Sequence, residues 1–354
     1  MLQRAAPKVT IGLDLGDRYS YLAVLDEDAE LVEETRVRTA APALRTWFDR
    51  IDRARVALEV GTHSPWVSRL LEECGHEVIV ANARKVRLIY DGDHKTDRLD
   101  AQALARMARL DPAVLHGIEH RGERAQHDLA VIRSREVLIR TRTRLINHVR
   151  GAVKSAGARV PRCSAPAFHR RAREVLPGGL EEALLPLLDQ LEQVTRQIRH
   201  YDHRIETLAS ERYPETDLLR QVAGVGPITS LTYILTLEDP DRFHTSRAVG
   251  PYLGLAPKNH QSGERDPQCR ITKAGNGMLR RLLVQAAHYQ LGPFGPDSDL
   301  RRWGLARAER GGKIAKKKAV IAVARKIAVL LHHLWKTGEV YEPLHNSQDL
   351  EEAA

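Results

Sequence analysis

A carboxylate inside an apolar strand narrows the fold of this chain more than any other feature. Residues 9–26 read VTIGLDLGDRYSYLAVLD. A short apolar run carries Asp14, a glycine follows, and a second run closes at Asp26. Burying a carboxylate in such a strand is costly unless it is paired or bound to metal. Two architectures place one there for different chemistry. One holds metal ions for cutting phosphodiesters, and the other handles the phosphates of ATP.

The remaining pattern favours the first. Apolar runs at 9–15, 20–25, 55–60 and 77–81 and an alternating stretch at 31–38 predict strands. Helices are predicted at about 42–51, at 65–74 and from about 97. Three leading strands in a meander, followed by αβ units, imply an α/β domain over 1–121 with a mixed sheet and helices on its faces. In that order the first and fourth strands can lie side by side. The ATPase alternative, an actin-like phosphotransferase, needs a second phosphate loop of the type Asp-x-Gly-Gly, and none occurs.

Over 122–212 strand signals almost vanish. Leu187, Leu191, Val194, Ile198, Tyr201, Ile205 and Leu208 recur at spacings of 4 and 3, the a/d seam of a coiled coil. A helical segment at 127–156 precedes it, and Pro161, Pro166 and Pro177-Gly178-Gly179 separate the two, which gives a helical hairpin. The seam serves either an intermolecular coiled coil, the expectation taken here, or a packed helical layer within one chain. A mainly α region follows over 213–345, then a tail at 346–354. Within that region LRQVAGVGPITSLTYIL (219–235) reads as helix, glycine turn and helix. It resembles a helix-hairpin-helix, whose turn, here Gly224 and Gly226, offers amides to a DNA phosphate. A glycine cap between packed helices explains the same residues.

Charge points to a polyanionic partner. The formal net charge is +9. Eight Arg or Lys residues over 133–159 stand against Glu136 alone, among them Arg133, Arg135, Arg140, Arg142, Arg144 and Arg150. Ten over 301–326, including Lys316, Lys317 and Lys318, stand against Glu309. A charge run is usually a solvated face, but an excess this one-sided suits a phosphate backbone. Aromatic residues make up 5% of the chain, too few for a base-stacking platform. Three scattered cysteines form no CxxC pair, which excludes a disulfide scaffold or zinc ribbon and suits a reducing cytoplasm. The sixteen histidines lack HExxH spacing. No apolar stretch is long enough to span a membrane, and the N-terminus lacks a signal-peptide apolar region.

Four carboxylates are candidates for one site. Asp14 lies in the first strand, Glu59 near the end of the fourth, and Asp97 and Asp100 lie at i, i+3 on one face of a starting helix. Together they would repel one another unless hard cations neutralise them, and Mg²⁺ is the natural occupant. Two such ions can activate an attacking oxygen and stabilise a leaving one in phosphodiester displacement. Taken singly, Asp97 and Asp100 also suit a helix N-terminus, and Glu59 suits a cap on the next helix.

GLDLG, ALEVGTHSPW and KTDRLDAQALA, followed by VAGVGPITSLTYILTLEDPDRF and YLGLAPKNHQSGERDPQCRITKAGNGMLRRLLVQAA, resemble in order the two conserved regions of the IS110/IS1111 transposases. The resemblance spans nearly the whole chain. It implies an RNase H/RuvC-like fold for the first domain, an Asp-Glu-Asp-Asp metal site at Asp14, Glu59, Asp97 and Asp100, and a nucleophilic serine at Ser262. It also implies double-stranded DNA as substrate, both element ends and target, and a structured non-coding guide RNA encoded by the element. A homo-oligomer, a dimer or a tetramer when active, is expected with it. One departure is local: where the family often shows Ser-Ser-Gly-Gly, this chain has Gln261-Ser262-Gly263-Glu264. The competing enzyme class is a RuvC-like structure-selective endonuclease, which cuts without a covalent step.

Overall fold

The computed structural model describes residues 7–82, 96–259, 261–262, 267 and 269–345. Contacts divide the chain into two compact units, Met1–Arg121 and Gly122–Ala354.

The first unit is built on five strands: β1 (Thr10–Asp14), β2 (Tyr19–Leu25), β3 (Leu31–Arg38), β4 (Arg55–Glu59) and β5 (Glu77–Ala81). Their order in the sheet is β3-β2-β1-β4-β5. The leading three form an antiparallel meander, and β1, β4 and β5 run parallel. Helices α1 (Ala41–Phe48) and α2 (Ser64–Glu73) supply Leu44, Trp47, Phe48, Val67, Leu70 and Leu71 to one face, where they meet Ile11, Leu13, Val56 and Leu58. Helix α3 (Asp97–Leu110) covers the other face. Both faces of β1 and β4 are thus covered, which is why these strands read as near-continuous apolar runs. β3 lies at an edge and carries glutamates and arginines, as an unpaired edge should.

Glycine at position 12 sets the distance between α3 and the sheet. A Cβ at Gly12 would collide with the Ala101 carbonyl oxygen and the Ala105 amide. Helix α3 presents Ala101, Ala105 and Ala108 to the sheet, small residues that permit this approach.

The second unit is helical. Its longest elements are α4 (Glu123–Ser155) and α6 (Glu181–Arg212), with short α5 (Phe168–Arg173) between them. Ala125, Leu129 and Ile132 of α4 pack on Ile205, Leu208 and Ala209 of α6. Ile146, Val149 and Val153 pack on Leu184, Leu188 and Leu191, together with Phe168 and Ala172 of α5. The start of one long helix meets the end of the other, so the pair is an antiparallel hairpin. The buried stripe of α6 is Leu184, Leu188, Leu191, Thr195, Ile198, Ile205, Leu208 and Ala209. Of the expected seam, Leu191, Ile198, Ile205 and Leu208 are buried within this chain, whereas Leu187, Val194 and Tyr201 are half-buried. Between the two apolar clusters α4 is less buried: none of its residues from Arg133 to Leu145 is buried, and Arg135 pairs with Asp202. At its base the buried Asp128 carboxylate accepts from the Tyr213 hydroxyl at 2.8 Å and from Arg212 at 3.1 Å. Burial, then that hydrogen bond, pushes the Tyr213 hydroxyl up to about 12.

The rest of this unit packs around a long final helix. Helices α7 (Glu215–Arg220), α8 (Pro227–Leu237), α9 (Val249–Tyr252), α10 (Gly277–Leu291) and α11 (Asp299–Glu309) surround α12 (Lys313–Thr337). The buried Tyr233 hydroxyl donates to the Ala328 carbonyl at 2.6 Å, which ties α8 to α12. Among the described residues no helix is long and apolar enough to cross a membrane.

Two glycine substitutions separate close approach from helix entropy. Gly12→Ala drives a Cβ into the α3 backbone and should cost about 3 kcal/mol through overpacking. Gly151→Ala, within α4 where a Cβ meets nothing, should gain about 0.5–1 kcal/mol. Thermal denaturation of the two variants should shift in opposite directions; equal shifts would contradict the packing described.

Candidate active site

The strand register and the faces of the sheet locate the carboxylates. β1 and β4 pair in parallel through Gly12↔Ala57 and Leu13↔Leu58. Asp14 and Glu59 are the next residues on each strand and close them at the same end. Adjacent strands are about 4.8 Å apart. Gly12 faces α3, and Ala57 packs against Leu104 and Ala108 of the same helix. Side chains alternate along a strand, so Asp14 and Glu59 share the α3 face. Both are half-buried.

The direction of α3 brings its first turn to that end. At its other end, Arg109 donates to the Pro7 and Lys8 carbonyls at 3.1 and 3.2 Å, just before β1 begins. Arg55, the first residue of β4, donates to the Ala108 carbonyl at 3.2 Å. The helix therefore runs antiparallel to β1, and Asp97 and Asp100 lie where β1 and β4 finish. Both continue the stripe of Ala101, Leu104, Ala105 and Ala108 that faces the sheet. The Thr96 hydroxyl caps the helix by accepting from the Leu99 amide at 3.3 Å. Asp97 is exposed and Asp100 half-buried.

As the side chains stand, no group of three or more His, Cys, Asp or Glu residues forms a metal centre among the described residues. The topology brings four carboxylates to one end of the sheet without closing them on a common point. Their chemistry is all oxygen, the donor set of a hard divalent cation. Residues 83–95, with Asp91 and Asp93, lie outside the described residues.

Three contacts that position the site have no motif. Arg109 and Arg55 latch the far end of α3, as above. At the near end Glu34 of β3 accepts from both Arg98 and Gln102 of α3. Arg98, then Gln102, holds the Glu34 carboxyl below the usual carboxylate range. The sequence signal for this pair is only an arginine set between two acids at the start of a helix.

Ser262 lies in the second unit. Pro257 and Ile271 form an antiparallel bridge. The Lys258 amide donates to the Arg270 carbonyl, and the Thr272 amide to the Ala256 carbonyl, each at 2.9 Å. These bonds make the stem of a hairpin that carries Ser262 between its arms, exposed. Gly254 and Gly275 hold positive φ at the base, where a Cβ on either would strike backbone. Arg280 clamps the same crossing through the Leu253 and Ala274 carbonyls at 2.9 and 2.6 Å. His260, Gly263 and Glu264 lie outside the described residues. Two other serines of this unit, Ser230 and Ser246, sit differently. Ser230 is buried and bonds back to the Gly226 carbonyl at 3.1 Å. Ser246 stands 2.9 Å from Nδ1 of the buried His332, whose Nε2 lies 2.9 Å from the Pro240 carbonyl. That carbonyl requires Nε2–H, so Nδ1 accepts from the serine hydroxyl. Sequence spacing, 86 residues apart, gave no sign of this contact.

Known proteins resemble this chain in sequence across both units. Residues 11–157 match a transposase family model, and residues 216–298 match the model described as the transposase IS116/IS110/IS902 family. The transposase for insertion sequence element IS1111A of Coxiella burnetii is 30% identical over 260 residues, 71% of this chain and 70% of that protein. A probable family 20 transposase of Pseudomonas aeruginosa is 27% identical over 343 residues, 94% of this chain and 98% of that one. The chain belongs to the IS116/IS110/IS902 transposase family. It is a DNA-processing enzyme of insertion-sequence type, and its substrate is DNA.

The basic surfaces of this transposase are unevenly displayed. On α4, Arg133, Arg140, Arg144 and Arg150 are exposed, while Arg135 and Arg142 are half-buried. Arg140 bonds Glu136 at 3.0 Å, and Arg150 lies over the Phe168 ring at 5.1 Å. Burial, then the nearby Arg135, lowers the Arg142 pKa, so this guanidinium sits in crowded positive surroundings. Lys316, Lys317 and Lys318 are exposed on the first turns of α12. In the stretch read as helix-hairpin-helix, six-residue α7 leads through a glycine turn into α8. Gly224 has positive φ and lies against α10, where a Cβ would press on Ala286 and Tyr289, whereas a Cβ at Gly226 meets nothing. Changing Arg140, Arg142 and Arg144 together to Ala should weaken duplex binding and flatten its salt slope by about 2–3 if each contacts a phosphate. Anisotropy titrations across salt concentrations check this, and an unaltered slope would mean that the three face solvent.

Proposed function

We propose that the protein is an RNA-guided DNA recombinase that moves an insertion sequence, using a Mg²⁺-bound carboxylate site and a serine nucleophile. One observation carries the reading: Asp14 and Glu59 end adjacent parallel strands on the face met by Asp97 and Asp100, in a chain of a transposase family. The sheet order, an antiparallel meander extended by parallel strands, supports an RNase H/RuvC-like first unit. Asp14, Glu59, Asp97 and Asp100 would hold two Mg²⁺ ions, with rotation of their side chains closing the set. Divalent cations held there would neutralise the carboxylates and supply Lewis-acid polarisation of a scissile phosphate.

The chain's own residues supply the rest. The Ser262 hydroxyl attacks phosphorus, the bond to the leaving sugar oxygen breaks, that oxygen takes up the proton the serine gives up, and a serine–DNA phosphodiester preserves the bond energy for strand exchange. The exposed position of Ser262 on a braced hairpin supports this role. The exposed arginines of α4 and lysines of α12 suit DNA and a structured guide RNA. A second nucleophile is favoured by one observation, the contact of Ser246 with His332.

Asp14→Asn keeps shape and removes charge where cations should sit. Recombination should fall by orders of magnitude while the melting temperature holds or rises, since carboxylate repulsion is relieved. Retained recombination would remove Asp14 from the site. Protein incubated with guide RNA, labelled DNA and Mg²⁺ should give a labelled band at protein mass on a denaturing gel. Ser262→Ala should lose that band and still bind DNA. Loss in Ser246→Ala instead would transfer the role to the histidine-contacted serine.

We also propose that the half-buried row Leu187, Val194 and Tyr201 on α6 takes part in a homo-oligomer. Val194→Asp with Tyr201→Asp should reduce the mass seen by light scattering and leave the helical signal intact. An unchanged mass would restrict the row to packing within one chain.

A further inference from the structure

Between α5 and α6 lies a cleft of about 180 Å³ lined by His169, Arg170, Glu192, Thr195, Arg196 and Arg199, with Pro166 at its edge. Liquid water occupies about 30 Å³ per molecule, so the cleft has room for a small polyatomic group. Two of its polar side chains are almost fully buried, and each leaves one polar atom unbonded. His169 is 9% exposed with Nδ1 unbonded, and Thr195 is 4% exposed with Oγ1 unbonded. A buried polar atom without a partner is costly, and native structures hold few.

A helical threonine can satisfy its hydroxyl on the carbonyl four residues earlier, as Thr46, Thr143, Thr232 and Thr337 do here with Pro42, Ile139, Ile228 and His333. Thr195 does not make that bond, and its hydroxyl is left to the cleft.

The surrounding charge selects the ligand. Three guanidinium groups and one carboxylate line the cleft, and Glu192 stands 4.0 Å from Arg196. A metal cation would meet the three arginines as like charges, so His169 and Glu192 do not suit a metal site. An anion meets donors instead: the arginines, the threonine hydroxyl and, once its ring is protonated beside the anion, Nδ1 of His169. In the free protein burial lowers the His169 pKa, opposed by Glu192, while the ring bonds the Pro166 carbonyl. Tetrahedral oxygens shared among a hydroxyl, an imidazolium and guanidinium forks describe a phosphate group.

We propose that this cleft receives one backbone phosphate of a nucleic-acid strand and so fixes the strand's register on the helical hairpin. The assignment rests on the nucleic-acid reading above. It concerns positioning, and no chemistry occurs there.

Thr195→Val and Arg199→Gln, each in the full chain, test it with three probes: a labelled DNA duplex, a labelled RNA strand and inorganic phosphate. Removing an unpartnered buried hydroxyl should leave the melting temperature of Thr195→Val unchanged or higher. Its affinity for DNA or for RNA should nevertheless fall about tenfold. Arg199→Gln should reduce the salt slope for the same strand by about one. Whichever strand responds is the source of the phosphate. If both variants bind both strands as wild type does, the proposal is overturned. If inorganic phosphate then still raises the melting temperature of wild type alone, the cleft takes free phosphate instead. Wild type that binds neither strand would overturn the nucleic-acid reading and this assignment with it.

Discussion

Helix α3 rests on β1 with no side chain between them at Gly12, and the first unit is organised by that approach. Glycine in β1 and alanines on α3 let backbone meet backbone. Arg109 and Arg55 tie one end of the helix to the strand starts. Glu34 holds Arg98 and Gln102 at the other. A helix fixed at both ends has no freedom to slide, so its first turn is held over the ends of β1 and β4. The cost is electrostatic: two acids on the helix are directed at the end of the sheet that carries two more. The N-terminal helix dipole favours Asp97 and Asp100 locally. It does nothing for Asp14 and Glu59. A fold that gathers like charge at a rigid place stores a preference for cations, and a transposase acting on phosphodiesters can use that preference.

The second unit divides its labour differently. The hairpin of α4 and α6 has an apolar cluster at each end and a stretch of α4 without buried residues between them. Cohesion at the ends leaves the middle free to display arginine, and burial beside Arg135 lowers the Arg142 pKa there. The cleft between α5 and α6 likewise leaves His169 Nδ1 and Thr195 Oγ1 unbonded.

Much of the first unit was legible because short-range pattern and long-range packing agree there. β1 and β4 are covered on both faces and read as apolar runs, while edge strand β3 alternates. Thr96, Asp97 and Asp100 announce a helix start by capping chemistry alone. The latches were not legible: Glu34 and Arg98 are 64 residues apart, and Arg109 reaches Pro7 across 102. In α6 the heptad spacing was real, but two adjacent stripes share it. Spacing identifies a helix face and says nothing of which neighbour covers it. Here α4 and α5 cover the stripe through Leu184, Leu188 and Thr195, one ridge from Leu187 and Val194. Ser262 came from a motif, whereas the hairpin that exposes it depends on bonds between residues 256 and 272 that no local pattern encodes.

The proposed role of the four carboxylates is to bind divalent cations at the end of the sheet. Titrating the full chain with Mn²⁺, followed by electron paramagnetic resonance, tests it without DNA, RNA or turnover. The account predicts saturable binding of about two ions per chain, reduced in Glu59→Gln and competed by Mg²⁺. Absence of saturable binding, or binding that Glu59→Gln leaves unchanged, would contradict it.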